Sequence, residues 1–470
     1  MPIALRVADA PLPLPRLLEP SLVAGLALLV VLGGSVLQPT WRAVPFAAWI
    51  AIAAGVATWR IILDPRAFPA TLLGLALAPL GVVLVQLCRI PSEWLSLSAG
   101  QVFAGSIRAL VEPAATASIS VDRVATASAA VPVAVFSATL LLLHVRPRRD
   151  WGSIFASFAI LGSVGVILAL AQFGSAGRWG DIYHSAQAAN APGFFANRNH
   201  GATFLACCLA FFGAWIGGQP IPWPRRYMLF AGASLFPLSI IALSGSRTGL
   251  MIGLVMAGAT LLAFPRDRSE VRSIDPAMRF AGLFIIVGFG VIVALVSLNG
   301  DTSTRLSGVS GDLRWSIWAH ARDLVLLYWP WGSGLGTFAH VYALIEPVGE
   351  LHPFYINHAH NDFIELFVET GALAIVPIMA ALLFGWASLA TRAQYSRKVM
   401  LERRVATIVV AGLLAHSFVD YPLRTPTLAI VLAVALSVLT PGAGSASSAA
   451  SKRSGLSALR FDQLDVALSK

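Results

Sequence analysis

The stretch from Phe194 to Gly217 reads FFANRNHGATFLACCLAFFGAWIG. From Gly201 onward its residues carry no charge. A helix rises about 1.5 Å per residue, so such a run covers most of a hydrocarbon core roughly 30 Å thick. The residues before it are of another kind: two aromatics, then Asn197, Arg198, Asn199 and His200 crowded together. An apolar helix headed by a polar, basic cluster is the unit from which the rest of the chain is read.

Comparable runs recur at 21–37, 43–63, 70–87, 129–143, 151–171, 227–243, 248–264, 280–298, 363–390, 405–419 and 428–439. With 201–217 they predict an all-α polytopic membrane protein of about twelve helices. The composition of the 470 residues agrees: 57% are hydrophobic and 12% charged. Soluble chains run about 45–50% apolar and about 25% charged. Residues 1–440 are expected to form one membrane domain, with a large loop at 299–362 between the ninth and tenth helices. Residues 441–470, opening PGAGSASSAASKRSG, read as a disordered tail. The cysteines, Cys88, Cys207 and Cys208, all lie in apolar runs, so no disulfide framework or metal finger is indicated.

The net charge of +10 invites a nucleic-acid partner, but the charges sit in the wrong pattern for one. With the N-terminus placed in the cytoplasm, 22 of the 33 Lys and Arg fall in alternate, inside connections. That is the asymmetry of a membrane topology. It predicts an inner-membrane protein with both termini cytoplasmic, membrane lipids as partners and no nucleic acid. The three long connections, 88–128, 172–200 and 299–362, face the periplasm.

Polar motifs collect at that face. Arg247, in SGSRTGL, lies in a tight connection between apolar helices. An arginine there either snorkels to the interface or meets an anion, and phosphate suits the guanidinium fork. Arg198 and Arg314 carry the same two readings. The segment His358-Ala359-His360-Asn361-Asp362 has three: metal ligands in a His-x-His-x-Asp pattern, a capping pair of Asp362 with Glu365, or acid–base and anion contacts. Asp362, Glu365 and Glu369 share one helical face, as an acidic wall or as a polar stripe against other helices. Gly332-x-Gly-x-Gly336 follows no strand, so a close-packed turn is expected rather than a dinucleotide site. Asp420 and Arg424 are spaced for a local salt bridge or for shaping the outer cavity.

Four of these motifs, taken in order, resemble the O-antigen ligases and the related Wzy-type polysaccharide polymerases. FFANRNHGATFLA resembles the family's Asn-Arg-Asn helix start, and LSGSRTGL its Ser-Arg segment. RWSIWAHARDLVLLYWPWGSGLGTF is similar to its Arg…Trp…Pro…Gly-x-Gly-x-Phe stretch, and HAHNDFIELFVETGALA to its His-Asn motif. His360 and Gly371 stand in the family's relation, while Ala374 replaces a second glycine. The likeness covers roughly residues 70–439. It implies a membrane glycosyltransferase that moves a glycan from an undecaprenyl-pyrophosphate-linked donor to a glycan or lipid A-core acceptor, on the periplasmic face, without metal or other cofactor. His360 and Arg247 would then be catalytic, with Arg314 also on the pyrophosphate. Arg198, Asn199, His358, Asn361 and Arg424 are further candidates for contact with pyrophosphate or glycan. Other polysaccharide-assembly proteins are expected as partners. Two other classes fit twelve helices: a transporter of lipid-linked glycans, which would carry charges near the midplane and inverted repeats, and a non-catalytic partner of a synthase complex.

Overall fold

A computed structural model describes residues 15–264, 288 and 313–440, apart from 37–39, 65, 112–115, 147–149, 186, 352–354 and 392–394. The expected ninth helix at 280–298 and the tail at 441–470 lie outside the described residues, as do residues 299–312 of the large loop.

The described chain is mostly helical. It runs α1 (Pro15–Leu32), α2 (Thr40–Leu63), α3 (Ala70–Leu87), β1 (Arg89–Pro91), α4 (Ser92–Leu95), α5 (Ala99–Val111), β2 (Thr116–Ser118), α6 (Arg123–Val145), α7 (Gly152–Gly174), α8 (Arg198–Gly217), α9 (Trp223–Leu243) and α10 (Arg247–Ala263). It continues with α11 (Leu313–Tyr328), α12 (Phe338–Tyr342), α13 (Asp362–Thr370), α14 (Ile375–Ala390), α15 (Arg397–Ser417) and α16 (Pro426–Leu439). The two three-residue strands pair antiparallel, Arg89 opposite Ser118, and are the described exception to an all-helical chain.

Among the described residues seven helices are long and apolar enough to cross a membrane: Ala43–Leu63, Ala70–Leu87, Arg123–Val145, Gly152–Gly174, Arg198–Gly217, Trp223–Leu243 and Asp362–Ala390. The apolar helices at Glu19–Leu32, Arg247–Ala263 and Pro426–Leu439 are shorter. The first turns of α15 hold Arg397, Lys398, Glu402, Arg403 and Arg404, which dilute its hydropathy.

The core lies around α8, which packs on α7, α9, α10 and α15, and around α16, which packs on α1, α6 and α15. Helix α8 can be central because its residues are small or apolar on every side, from Gly201 to Gly217. A Cβ at Gly213 would come within 2.3 Å of Thr260 Cγ2, so α8 and α10 are closer there than any other residue allows. Close approach of this kind drives helix association in lipid, where apolar burial alone gives little. Hydrogen bonds gather the starts of α8, α10, α13 and α16 with the ends of α1, α7, α9 and α15 at one end of the bundle, the site end: Thr427 N donates to Gly33 O, Ala196 N to Gly34 O, Gly193 N to Gln172 Oε1, Arg198 Nη1 to Ser244 O and Asp362 N to Asp420 O.

Candidate active site

At the site end the starts of α8, α10 and α13 are each fixed by a capping side chain, whereas Thr425 before α16 makes no such bond. The Asn197 side chain accepts from Asn199 N (2.8 Å) and opens α8 at Arg198. Ser246 Oγ accepts from Gly249 N (3.1 Å) and opens α10 at Arg247. Asn361 Oδ1 accepts from Phe363 N and Ile364 N, both at 3.0 Å, and opens α13. Each such end presents unpaired backbone N–H groups and the positive pole of the helix dipole. The cap of α13 rules out one of the three readings of this segment, the capping pair of Asp362 with Glu365. Asn361 is the residue with extended backbone, φ −161°. Asp362, one place on, turns inward and accepts from Ser417 Oγ (2.8 Å) and Leu423 N (3.2 Å). The Asn361 amide nitrogen donates to Phe418 O (2.8 Å), so this side chain is occupied at both ends.

Asp420 is the centre of the cluster. Its side chain is 1% exposed, and three imidazoles surround it: His200 Nε2 at 3.6 Å, His360 Nδ1 at 3.4 Å and His416 Nε2 at 3.9 Å. Asn199 Nδ2 donates to Asp420 Oδ2 (2.7 Å), and Tyr421 N donates to Oδ1 (2.9 Å). Burial alone would raise the Asp420 carboxyl. The His200 and His360 imidazoles at its oxygens outweigh that and hold it well below the usual carboxylate range. Thr203 Oγ1 hydrogen-bonds His416 Nδ1 and fixes that ring from the other side.

His360 differs from the other two imidazoles in reaching the surface. Its side chain is 31% exposed although Nδ1 itself is buried, so the open edge of the ring is the one bearing Nε2. Its backbone is left-handed, φ +50°, a region costly for a side chain with a Cβ and one that collects at functional positions. Tyr421 packs its ring edge-on against His360 and His200 and stacks on His358 at 3.9 Å. His358 is further pinned by Glu365, its Nδ1 2.8 Å from Oε1.

Arg424 turns away from Asp420. Its guanidinium meets the acidic face of α13: Nη1 to Glu369 Oε2 at 2.6 Å, Nη2 to Glu365 Oε1 at 3.4 Å and Nε to Asp362 Oδ1 at 3.6 Å. The local bridge to Asp420 does not form because 422–424 is a tight 3-10 turn begun by Pro422, not an α-helix. The three α13 acids are a buried stripe that one arginine gathers, rather than an open wall. The glycine-rich segment is a close-packed turn on the same helix, with Ser333 N donating to Val368 O (3.1 Å) and Gly334 N to Glu369 O (2.8 Å). Gly371 has φ +53°, and a Cβ there would sit 2.2 Å from Pro330 O. Only glycine fits that crossing of loop and helix.

The remaining arginines lie nearer the open side. Arg198 Nη1 donates to Ser244 O (3.4 Å) and so lies against the turn that carries Arg247, whose side chain is exposed. Arg314, at the start of α11, is close enough to His416 for their charges to interact. Of the expected residues, Asn199 and His360 contact Asp420 directly, and His358 reaches it through Tyr421. Arg198, Arg247 and Arg314 approach from the surrounding helix starts, while Asn361 and Arg424 hold the scaffold. His200, His416 and Tyr421 were not expected as site residues, and Asp420 was expected only in a local salt bridge or in shaping the outer cavity. Their signal was an ionisable residue at the end of an apolar helix, where a charge needs partners.

A model of the O-antigen ligase family matches residues 232–379. The matched stretch runs from within α9 to the first turns of α14 and contains Arg247, Arg314, His358, His360 and Asn361. No curated protein matches the chain. Residues 232–379 are thus similar to the O-antigen ligase family, in a chain with several helices long and apolar enough to cross a membrane.

Proposed function

We propose that this protein transfers a glycan from an undecaprenyl-pyrophosphate-linked donor to a hydroxyl of a lipid A-core or polysaccharide acceptor, at the periplasmic face of the bacterial inner membrane. The acceptor oxygen attacks the anomeric carbon, and the bond from that carbon to the pyrophosphate oxygen breaks. The electron pair leaves with undecaprenyl pyrophosphate. The acceptor proton goes to His360 Nε2.

The observation that carries this reading is the state of His360: Nδ1 buried against Asp420 and the opposite edge open. A carboxylate 3.4 Å from Nδ1, in ion-pair rather than hydrogen-bond contact, steadies the imidazolium that forms when the ring takes a proton, as a general base requires. Arg247 and Arg314 stabilise the leaving pyrophosphate, with Arg198 as a third cation beside the same turn. The starts of α8 and α10 add positive dipole ends. The donor is already activated, so stabilising the leaving group and removing one proton suffice, and the reaction proceeds without a metal.

Purified protein in liposomes, given lipid-linked donor with a labelled glycan, tests the proposal. Label transferred to the acceptor, with one undecaprenyl pyrophosphate released per glycan and no loss of rate in a strong chelator, is the expected result. Donor moved across the bilayer uncleaved would replace transfer by transport. Chelator-sensitive transfer restored by zinc would overturn the general-base role of His360.

A further inference from the structure

Helix α5 is amphipathic the wrong way round for a helix in water. Its longer polar side chains, Gln101 and Arg108, face the protein, and Ser106, exposed, donates back to Phe103 O (2.7 Å). Gln101 Nε2 donates to Ile119 O (2.6 Å) and Gly332 O (2.8 Å), and Arg108 donates to Ser118 O (3.1 Å) and Ser120 O (2.8 Å). Phe103, Ile107 and Leu110, spaced to share a face, point away from it. Phe103 and Leu110 are more than half exposed, and so are Trp94 and Leu97 just before the helix. Contiguous apolar surface of this kind marks a contact.

We propose that the α4–α5 segment seats on the lipid leaflet at the site end of the bundle. This rests on the reading of α3 and α6 as membrane-crossing helices. Three observations favour lipid over a protein partner. The segment joins the end of α3 to the start of α6, so it is held at the depth where two spans leave the bilayer. In the last turn of α3, just before it in the chain, Leu84 is apolar and open as well, 63% exposed. Beside it opens a cavity of about 700 Å³ whose lining includes Arg89, Arg108 and Arg123 against one carboxylate, Asp122, a net basic lining suited to the phosphate of a lipid head group. Trp94 adds an aromatic ring with a polar tip, a side chain enriched at membrane interfaces. The inward hydrogen bonds tie the seat to the loop that supports α13, since Gly332 accepts from Gln101 and its neighbour Gly334 donates to Glu369 O.

Spin labels on full-length protein in liposomes of phosphatidylethanolamine and phosphatidylglycerol test this. The labelled sites are Phe103→Cys and Leu110→Cys in a Cys88→Ser background. Leu84→Cys serves as the lipid reference and Gly349→Cys, open and exposed, as the water reference. The seat predicts high collision with oxygen and low collision with a nickel chelate at 103 and 110, so that their oxygen-to-nickel ratio rises several-fold over position 349 and approaches position 84. Nickel access at 103 and 110 equal to that at 349 would show a face in water. Shielding from both reagents would show a protein cover, from a second copy or another partner. Either result overturns the proposal while leaving the α3 span intact. Nickel access at position 84 as well would overturn the span reading, and the proposal with it.

Discussion

At the end of the bundle opposite the site, one ion pair stays wet. Lys398 Nζ lies 2.8 Å from Asp150 Oδ1, with the two side chains 46% and 61% exposed. An exposed pair of this kind contributes about 0–1 kcal/mol and tolerates substitution. Two charged residues near it are buried: Glu402, and Arg146, which lies over the Trp151 ring at 3.8 Å. At the site end, Glu365, Glu369 and Asp420 are at most 1% exposed, and Arg424 is 12% exposed. Taking such charges out of water is unfavourable by several kcal/mol per ion unless partners restore the loss. The difference separates two uses of charge in one membrane protein. The exposed Lys398–Asp150 pair makes little demand on the placement of either partner. The charges at the site end must be placed atom by atom, as is required where a reaction is to be held.

The comparison is tested most severely at Arg424. Arg424→Ala leaves three buried carboxylates without their shared cation, and a loss of about 3–5 kcal/mol is expected. Protein level in the membrane and thermal unfolding in detergent measure it. A variant that accumulates and unfolds like the wild type would place these charges with the wet pair. Arg247→Ala is expected to keep its membrane level and lose transfer by roughly 10²–10³-fold, the scale of one lost donor to a developing anion. Arg247→Lys restores only part, because a point charge replaces a planar fork. Full activity in the Lys variant would reduce the role to simple charge, and disappearance of the Ala variant from the membrane would make Arg247 structural. His358→Ala is milder in transfer than a change at His360, since its ring is spent on Glu365 and Tyr421; equal losses at both positions would contradict the distinction drawn between them. At the wet end, Asp150→Ala shifts unfolding by less than about 1 kcal/mol. A larger shift there would erase the contrast between the two ends.

Most of the architecture was legible in the sequence because lipid demands it. A run such as 201–217 has one solution, a helix with its backbone bonds closed internally. The polar motifs were legible as motifs, and those at 197–200, 244–247, 357–362 and 416–424 do meet at one end. Their pairings were not legible. Asp420 lies 60 residues from His360 and far further from Asn199, and no local spacing announces either contact. Arg424 was matched to Asp420 on an i, i+4 rule that the Pro422 turn breaks. The exchange of Asp362 for Asn361 as cap turned on one residue of backbone conformation, which propensity does not resolve.

The account stands on His360 as the open member of the Asp420 cluster. The most direct test is transfer by purified His360→Ala with lipid-linked donor and acceptor, followed across pH beside the wild type, with donor binding measured separately. Removing a positioned base is expected to lower transfer by roughly 10²–10⁴-fold, with donor binding kept by the arginines. Asp420, held well below the usual carboxylate range by the His200 and His360 imidazoles, keeps its charge on acidification, so a fall in transfer there does not report that carboxylate. Transfer at the wild-type rate and pH profile in the Ala variant would contradict the account.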